Sequence, residues 1–401
     1  MSTAAKHPAW GPGTISVRAG EEGPWPGGAT QVPIVNSVAF GYDDIDRWHE
    51  VALGKRTGHI YSRNTNPTVA AFEEKLRQLE GAEAAASFAS GMAAISNMLW
   101  ALLRPGDRVV SITDSYGGTS RLFLEFLPRY GITAELVPTG DRDALDRAVA
   151  QGCRLLYVET PTNPTLKVVD LPRAARAAHA AGAILVVDNT FATPILQRPL
   201  PLGADLVVHS ASKFLGGHAD VLGGVVAGRR DLVEAVFQFR EINGAVLSAD
   251  AAYLLIRGMK TLALRVRQQS QSALAVARFL QGHEAVSRVF YPGLKSHPGH
   301  DAAAAQMNGG FGGVLAFSLH GGFDAVRQFL PRLQLAHLAA NLGSVETVAG
   351  PPRTTSHVEL RAEEREALGI PEALIRYSVG IEETEDLVLD LGRALAEVMP
   401  D

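Results

Sequence analysis

The sequence is poor in cysteine, since Cys153 is the only one among 401 residues. An intrachain disulfide is therefore excluded. Cys153 lies beside the apolar run 155–158, which indicates a buried thiol in a reducing compartment. The first residues lack the apolar core of a signal peptide, and no later stretch holds the ~18 uninterrupted apolar residues that a membrane span requires. We therefore expect a cytoplasmic protein without membrane contact.

A surplus of charge of either sign is also missing. Lys and Arg number 37 and Asp and Glu number 42, for a formal net charge of −5, and the basic residues are dispersed along the chain. Such a distribution offers no electrostatic footprint for nucleic acid or for an anionic membrane. The spacing of His209 and His218 matches no common zinc pattern, so no metal site is expected. Small molecules are the expected partners.

The chain has enough apolar residues for a large core divided into two or more domains, because hydrophobic residues make up 46% of it and charged residues 20%. Residues 1–60 are rich in Gly and Pro and lack clear periodicity until about Asp43, so we expect an arm that must pack on something else. Residues 61–258 are expected to form a large domain. Residues 259–401 are expected to form a smaller C-terminal domain.

Short apolar runs that predict strands alternate with amphipathic segments that predict helices. In the large domain the clearest strands are 108–112, 155–158, 184–187 and 206–208, and helical patterns cover 172–181 and the segment that begins near Asn66. Beyond Gly258 we expect a long helix over 260–280, strands at 313–318 and 374–379, and helices from Phe323 and from Glu385. This alternation predicts an α/β fold with a mostly parallel sheet, helices on both of its faces, and a second αβ domain.

An acid and a lysine stand at the ends of two of these strands. Asp188 ends the strand 184–187, and Lys213 lies just beyond the strand 206–208. Ligands in open α/β sheets collect at the carboxyl ends of the strands, so both side chains are expected in one crevice. A lysine can form a Schiff base with the aldehyde of pyridoxal phosphate, while a carboxylate keeps the ring nitrogen protonated. The alternative is a turn-capping aspartate and a solvated surface lysine.

Two further elements are suited to the phosphate of such a cofactor. Ser210 and Ser212 place hydroxyl groups immediately before the lysine. Gly91 and Met92 follow Ser90 at the start of a helical segment, and helix N-termini leave amides unpaired and carry a partial positive charge. The alternative for the Ser-Gly pair is an ordinary helix cap. Tyr116, at the end of another strand, could stack on a cofactor ring or simply pack against its neighbours.

Six short motifs occur in one order along the chain and together carry a family resemblance. They are Tyr61-Ser62-Arg63, Tyr116-Gly117-Gly118-Thr119, Glu159-Thr160-Pro161-Thr162-Asn163-Pro164, Val187-Asp188-Asn189-Thr190, His209-Ser210-Ala211-Ser212-Lys213 and Arg376-Tyr377-Ser378-Val379-Gly380. From about Ser37 to the C-terminus the chain resembles the Cys/Met metabolism family of pyridoxal phosphate enzymes. That family includes cystathionine γ-synthase, cystathionine γ-lyase, methionine γ-lyase and the O-acylhomoserine sulfhydrylases.

The resemblance implies a fold-type I pyridoxal phosphate enzyme and a role for each site residue. Lys213 would bind the cofactor aldehyde, Asp188 would pair with the ring nitrogen, and Asn163 would lie near the phenolic oxygen. Arg376 would clamp the substrate α-carboxylate, a planar task that suits a guanidinium group. The phosphate would be held by Gly91, Met92, Ser210 and Ser212, with Tyr116 stacked on the ring.

The resemblance also implies that the active site is shared between two chains. Tyr61 and Arg63 would reach the phosphate of the neighbouring subunit, which the arm 1–60 would contact. A homodimer with shared sites, and a tetramer built from two such dimers, is the expected assembly.

The implied reaction is γ-elimination or γ-replacement on a homoserine ester or a sulfur amino acid, with Lys213 moving the α-proton and Tyr116 exchanging protons with the leaving or entering group. Two alternatives stay open. One is a specialised biosynthetic γ-substitution with a non-standard substrate, and the other is an aminotransferase, which would share the Asp-Lys pair.

The part of the pocket beyond the α-carbon departs from several members of the family. Ile60 stands where cystathionine-handling members carry an acid, and Ala340-Asn341 stands where they tend to have Glu-Ser, so the loss of two acids disfavours a distal ammonium. Gly118 occupies the position of a cysteine in methionine γ-lyases. Arg121 matches an arginine that meets a distal carboxylate. Arg353 is a further candidate for substrate binding, with a surface arginine as the alternative.

Overall fold

The computed structural model describes residues 10–358 and 360–398. In this part of the chain the strands are β1 (Ala84–Phe88), β2 (Arg108–Ile112), β3 (Thr133–Val137), β4 (Leu155–Glu159), β5 (Ile184–Asp188), β6 (Leu206–Ser210), β7 (Gly224–Gly228), β8 (Val286–Phe290), β9 (Val314–Leu319), β10 (His337–Leu338), β11 (Val348–Gly350) and β12 (Leu374–Ser378). The helices are α1 (Pro12–Arg18), α2 (Ile45–Ala52), α3 (Pro67–Glu80), α4 (Gly91–Leu102), α5 (Gly117–Arg121), α6 (Arg142–Ala150), α7 (Leu171–Ala180), α8 (Thr193–Leu196), α9 (Arg230–Asn243), α10 (Ala249–Met259), α11 (Leu262–Gln281), α12 (His300–Gln306), α13 (Gly322–Phe329), α14 (Ala362–Ala367) and α15 (Thr384–Ala396).

The first sheet has seven strands in the order β1-β7-β6-β5-β4-β2-β3. Only β7 runs against the others, since it pairs antiparallel with both β1 and β6 while the remaining pairs are parallel. Asp188 is therefore aligned with Glu159 on β4 and with Val208 on β6. The carboxyl ends of β4, β5 and β6 meet at one edge of the sheet, as predicted for the strands that carry the candidate site.

Helices cover both faces of this sheet, which explains why its central strands are continuously apolar. Along β4, Leu155 and Tyr157 pack into a core with α4 and α9, whereas Leu156 and Val158 pack into the opposite core with α6 and α7. Successive side chains of a strand point to opposite faces, so a strand buried on both faces needs an apolar residue at every position. The predicted fold class is confirmed.

The second sheet has the order β10-β11-β12-β9-β8, with antiparallel pairs from β11 to β8. The long predicted helix near 260–280 is α11, Leu262–Gln281. One apolar core runs without interruption from α3 and α10 through α11 to β9, β12 and α15. The division at 258/259 stays a prediction, because this shared core joins residues from both sides of that boundary.

The N-terminal segment packs partly on its own chain. Lys75, fully buried on α3, donates from Nζ to Ser16 O and to Glu21 Oε1, both at 2.8 Å. Further along, Ile34, Val38, Ile45, Trp48 and Leu53 each expose at least 43% of their surface. The predicted contact of the arm 1–60 with a neighbouring subunit stays a prediction, and its residues 1–9 lie outside the described residues.

The sequence analysis did not predict three strands of the large sheet, β1, β3 and β7. Ala84–Phe88 and Gly224–Gly228 are rich in Ala and Gly, which have little intrinsic preference for strands. They become strands because they pair with each other along their whole length.

No helix within residues 10–358 and 360–398 has the length and apolarity to cross a membrane.

Candidate active site

A cavity of about 300 Å³ opens at the carboxyl ends of β4, β5 and β6. It brings together most of the predicted site residues from elements that are far apart in sequence. Its wall is formed by Ser90, Gly91, Met92, Ile95, Tyr116, Glu159, Asn163, Asp188, Thr190, Phe191, Ser210, Ser212, Lys213, Leu222, Ala340, Leu342, Thr355, Ser356 and Arg376.

Lys213 lies in the turn that follows β6, and its amine is held inside the cavity. Nζ donates to Asn341 Oδ1 at 2.9 Å. Burial, with a smaller contribution from the Arg376 charge, lowers the pKa of Lys213 from 10.5 to about 8. A substantial fraction of this amine is therefore neutral near pH 8, which is the form that acts as a nucleophile or as a base.

Asp188 is the last residue of β5 and is only 7% exposed. Tyr157 Oη donates to Asp188 Oδ2 at 3.1 Å, and Thr190 N donates to Asp188 Oδ1 at 3.0 Å. Burial, and then the charge of Asp188, raise the pKa of Tyr157 well above its usual value, so this phenol stays a donor. Both partners are neutral, and the carboxylate can still pair with a positively charged ring nitrogen.

The start of α4 faces the residues that precede Lys213. Ser90 caps this helix by accepting a hydrogen bond from Ala93 N at 3.1 Å. A Cβ atom on Gly91 would lie 2.8 Å from Ser210 Cβ, so this close approach requires glycine. The first amides of α4 have no partner within the helix and face a hydroxyl-bearing segment, an arrangement that fits a phosphate group.

The side chain of Ser212 is hydrogen-bonded to Gly223, the residue before β7. Its Oγ accepts from Gly223 N at 3.0 Å and donates to Gly223 O at 3.3 Å. Ser210 N donates to Thr190 Oγ1 at 2.9 Å. These bonds connect the segment between β6 and Lys213 to Thr190, which follows β5, and to Gly223, which precedes β7.

Arg376 on β12 also lines the cavity and is 7% exposed. Nη1 donates to Asn163 Oδ1 and Nη2 donates to Asn341 O, each at 3.0 Å. Burial lowers the pKa of Arg376 to about 10, so the group is still a cation at neutral pH. A buried guanidinium held by two neutral acceptors is suited to binding a carboxylate.

Tyr116 stands at the rim of the cavity and is 45% exposed. Its backbone N donates to Glu159 Oε2 at 2.9 Å. Tyr116 is part of the cavity wall, and its ring is available to cover a planar ligand.

Five predicted site residues are not among those that line the cavity of their own chain, and one of them, Asn341, contacts Lys213 Nζ through its side chain. Tyr61 and Arg63 are exposed, and the Arg63 Cζ atom lies 5.2 Å from the centre of the Tyr61 ring. Arg121 is exposed and forms an ion pair with Glu125 at 3.0 Å. Their proposed roles in binding the cofactor of a neighbouring chain or the substrate stay predictions.

The fifth of these residues, Arg353, makes two contacts with its surroundings. It forms an ion pair with Glu372 at 2.8 Å, and its Cζ lies 4.3 Å from the centre of the Phe323 ring. These contacts hold the guanidinium outside the wall of the cavity. Its role in substrate binding stays a prediction.

Several lining residues received no role from the sequence. Glu159 and Thr190 stand in motifs that were recognised, and Glu159 ends an apolar strand in the same way as Asp188, which is a signal that could have identified it. Ile95, Phe191 and Leu222 carried no such signal, because an apolar residue at a cavity looks like any core residue in sequence.

The residues of the cavity fit pyridoxal phosphate. A buried carboxylate is placed for the ring nitrogen, a lysine of lowered pKa is placed for the aldehyde, and the helix start that only glycine allows is placed for the phosphate. Within the described residues, no cluster of His, Cys, Asp and Glu has the arrangement of a metal site.

Comparisons with known proteins agree with the family that the sequence motifs indicate. The model of the Cys/Met metabolism PLP-dependent enzyme family matches residues 13–396. Cystathionine γ-lyase from Bacillus subtilis is 42% identical over 386 residues, which cover 96% of this chain and 99% of that protein. L-Methionine γ-lyase from Fusobacterium nucleatum subsp. polymorphum is 41% identical over 374 residues, which cover 92% of this chain and 94% of that protein.

A solved structure shows the same architecture. The crystal structure of cystathionine γ-synthase from Xanthomonas oryzae pv. oryzae in complex with cystathionine superimposes with a TM-score of 0.92 at 39% identity, covering 98% of this chain and 99% of that one. Sequence motifs, fold and family model all lead to one assignment. The chain belongs to the Cys/Met metabolism family of pyridoxal phosphate-dependent enzymes.

Proposed function

We propose that Lys213, Asp188 and Arg376 are the central groups of this enzyme's chemistry. The chain is a pyridoxal phosphate-dependent enzyme of γ-elimination or γ-replacement on a homoserine-ester or sulfur amino acid substrate. The bound cofactor supplies an electron sink for the carbanion that forms at the substrate α-carbon. The observation that carries the assignment of roles is that the amine, the carboxylate and the guanidinium line one cavity.

The substrate is positioned by its α-carboxylate. Arg376 offers a buried guanidinium whose two known acceptors, Asn163 Oδ1 and Asn341 O, are neutral. A carboxylate would form stronger, charge-assisted hydrogen bonds with the same group. Asn341 also accepts from Lys213 Nζ, so a substrate bound in this way would have its α-carbon near that amine.

Lys213 then moves the protons at the substrate. Its lowered pKa gives a neutral amine that accepts the α-proton, and the same nitrogen can return a proton to a neighbouring carbon. Tyr116, at the rim, serves the proton of the leaving or entering group at the γ-carbon. Asp188 keeps the ring nitrogen charged, with Tyr157 as its buried hydrogen-bond donor.

Elimination and replacement use the same residues in this proposal. The named relatives include two γ-lyases and a γ-synthase whose structure contains cystathionine. On this chain, the cavity wall includes a group of uncharged residues, Leu222, Ala340, Leu342, Thr355 and Ser356. That wall favours an ester or thioether without a distal ammonium group.

The assembly and the compartment are further parts of the proposal. A homodimer would bring Tyr61 and Arg63 of one chain to the phosphate end of the other chain's cavity, and two such dimers would form a tetramer. The exposed positions of both side chains support this arrangement. The cytoplasm is the proposed location, in keeping with a single, partly buried cysteine.

A substrate panel tests the proposed reaction. O-Acylhomoserines, methionine and cystathionine are each incubated with the holoenzyme, with and without an added thiol. We expect release of 2-oxobutyrate and ammonia without thiol and formation of a thioether with it. Lys213→Ala should lack both the activity and the visible absorbance band of the bound cofactor, whereas Lys295→Ala, at an exposed lysine, should keep both. Turnover that depends on a 2-oxo acid acceptor would instead indicate an aminotransferase.

A further inference from the structure

Glu159 is a buried carboxylate in the cavity wall that the roles proposed above leave unused. It ends β4, is 4% exposed, and lies beside Asp188 in the register of β4 and β5. A buried carboxylate costs free energy unless its oxygens are hydrogen-bonded. The partners of its two oxygens therefore indicate what Glu159 does.

Each oxygen accepts a backbone N–H group from a different loop. Oε2 accepts from Tyr116 N at 2.9 Å, in the loop after β2, and Oε1 accepts from Asn163 N at 3.1 Å, in the segment after β4. One carboxylate thus joins the loop that carries the ring-stacking tyrosine to the segment that carries the asparagine. A glutamine in the same position would turn an NH2 donor towards one of the two N–H groups, so only one of these two bonds could form.

The hydrogen bonds continue from Asn163 to the catalytic lysine. Asn163 Oδ1 accepts from Arg376 Nη1 at 3.0 Å, Arg376 Nη2 donates to Asn341 O at 3.0 Å, and Asn341 Oδ1 accepts from Lys213 Nζ at 2.9 Å. Glu159 therefore stands at one end of a continuous chain of residues whose other end is the amine.

The surroundings of Glu159 disfavour the charged form of its side chain. Burial and the neighbouring Asp188 raise the pKa of Glu159 well above its usual range, and the N–H groups of Tyr116 and Asn163 oppose that rise. The Asp114 carboxylate adds to the repulsion. Groups whose electrostatics are strained in this way concentrate at functional sites.

We propose that Glu159 is a positioning residue for the reaction: it fixes Tyr116 and Asn163 against the cofactor and, through Asn163, orients Arg376 for the substrate carboxylate. The inference rests on the roles proposed above for Tyr116 and Asn163. It assigns to Glu159 no contact with the substrate.

Glu159→Gln tests the inference, because glutamine keeps the shape but offers one acceptor oxygen in place of two. Asp205→Asn is the matched control. Asp205 immediately precedes β6, at the end of that strand away from the cavity, and is 7% exposed. Like Glu159, it accepts a backbone N–H group, from Leu185 at 2.9 Å. The measurements are the cofactor Kd of the apoenzyme, the visible circular dichroism of the holoenzyme, kcat and KM, and Tm.

We expect Glu159→Gln to weaken cofactor binding about tenfold, which corresponds to one lost hydrogen bond to a buried acceptor. Its visible circular dichroism should change, since that signal reports the groups around the ring, and KM for the amino acid should rise. Asp205→Asn should lower Tm alone. A Glu159→Gln enzyme with the wild-type Kd and dichroism would overturn the inference, whatever its Tm.

A second variant covers the event that Glu159→Gln does not fold. Glu159→Asp keeps both oxygens and withdraws them by one methylene, so the same changes are expected, and their absence would refute the inference equally. Tyr116→Ala and Asn163→Ala test the underlying roles. If these two variants bind the cofactor normally, the proposed roles fail. If they weaken binding and the Glu159 variants do not, only the positioning role of Glu159 fails.

Discussion

The reactivity of Lys213 depends on how much of its amine is neutral, and one substitution beside it should change that fraction. Burial and Arg376 lower the pKa of Lys213 to about 8, and Nζ donates to Asn341 Oδ1 at 2.9 Å. Asn341→Asp would replace this neutral acceptor with a carboxylate of nearly the same shape. An opposite charge at such a distance raises the pKa of an amine by about 1–3 units.

The size of the effect follows from these two values. With a pKa of about 8, about a quarter of the Lys213 amine is neutral at pH 7.5. A rise of about 2 units would leave about 0.3% neutral, which is roughly 75-fold less. Because only the neutral amine attacks an aldehyde, capture of pyridoxal phosphate by the apoenzyme should slow by the same factor at pH 7.5. The rate should recover as the pH rises towards about 10.

The assay is the growth of visible absorbance after rapid mixing of apoenzyme and cofactor, followed across the pH range that contains both midpoints. Asn341→Ser is the matched control, since it removes the amide without adding a charge and should leave the midpoint much closer to that of the wild type. If Asn341→Asp and the wild type share one midpoint, then either the carboxylate does not contact Nζ or the amine does not limit the rate, and the reasoning is refuted.

Two further predictions concern the other ends of the cavity. Arg63→Ala should weaken cofactor retention, and a mixture with Lys213→Ala chains should regain part of the activity through one intact site per mixed dimer; verified mixed dimers without activity would show that each site belongs to one chain. Tyr157→Phe removes the donor that lies 3.1 Å from Asp188 Oδ2 and should weaken cofactor binding by about 3- to 10-fold. Equilibrium titration of the apoenzyme measures this, and an unchanged affinity would contradict a supporting role for the phenol.

The strands that carry the site were predictable because their composition indicates that both faces are buried. β4, β5 and β6 are apolar at nearly every position, since both of their faces pack against helices. The acid or hydroxyl that follows each apolar run marks the carboxyl end of the strand. For β1 and β7 the composition is uninformative, and they are strands because β7 pairs with both β1 and β6.

The predicted site residues illustrate the same difference. Asp188 and Lys213 could be placed together because they stand at the ends of strands that were expected to be neighbours. Asn341 could not be placed against Lys213, because 128 residues separate the two positions and no pattern announces their contact. Arg121 and Arg353 form ion pairs with Glu125 and Glu372, and their expected contacts with the substrate stay predictions.

The sequence by itself determined the fold class and the family, and it predicted the groups that can bind the cofactor. Those properties depend on local order: which residue follows which strand, and which helix begins with Ser and Gly. The tertiary structure decided the rest, including the low pKa of Lys213, the bonds of Arg376 and the two N–H groups held by Glu159. Burial and hydrogen bonding across distant segments depend on where the folded chain brings them, and a linear pattern does not contain that information.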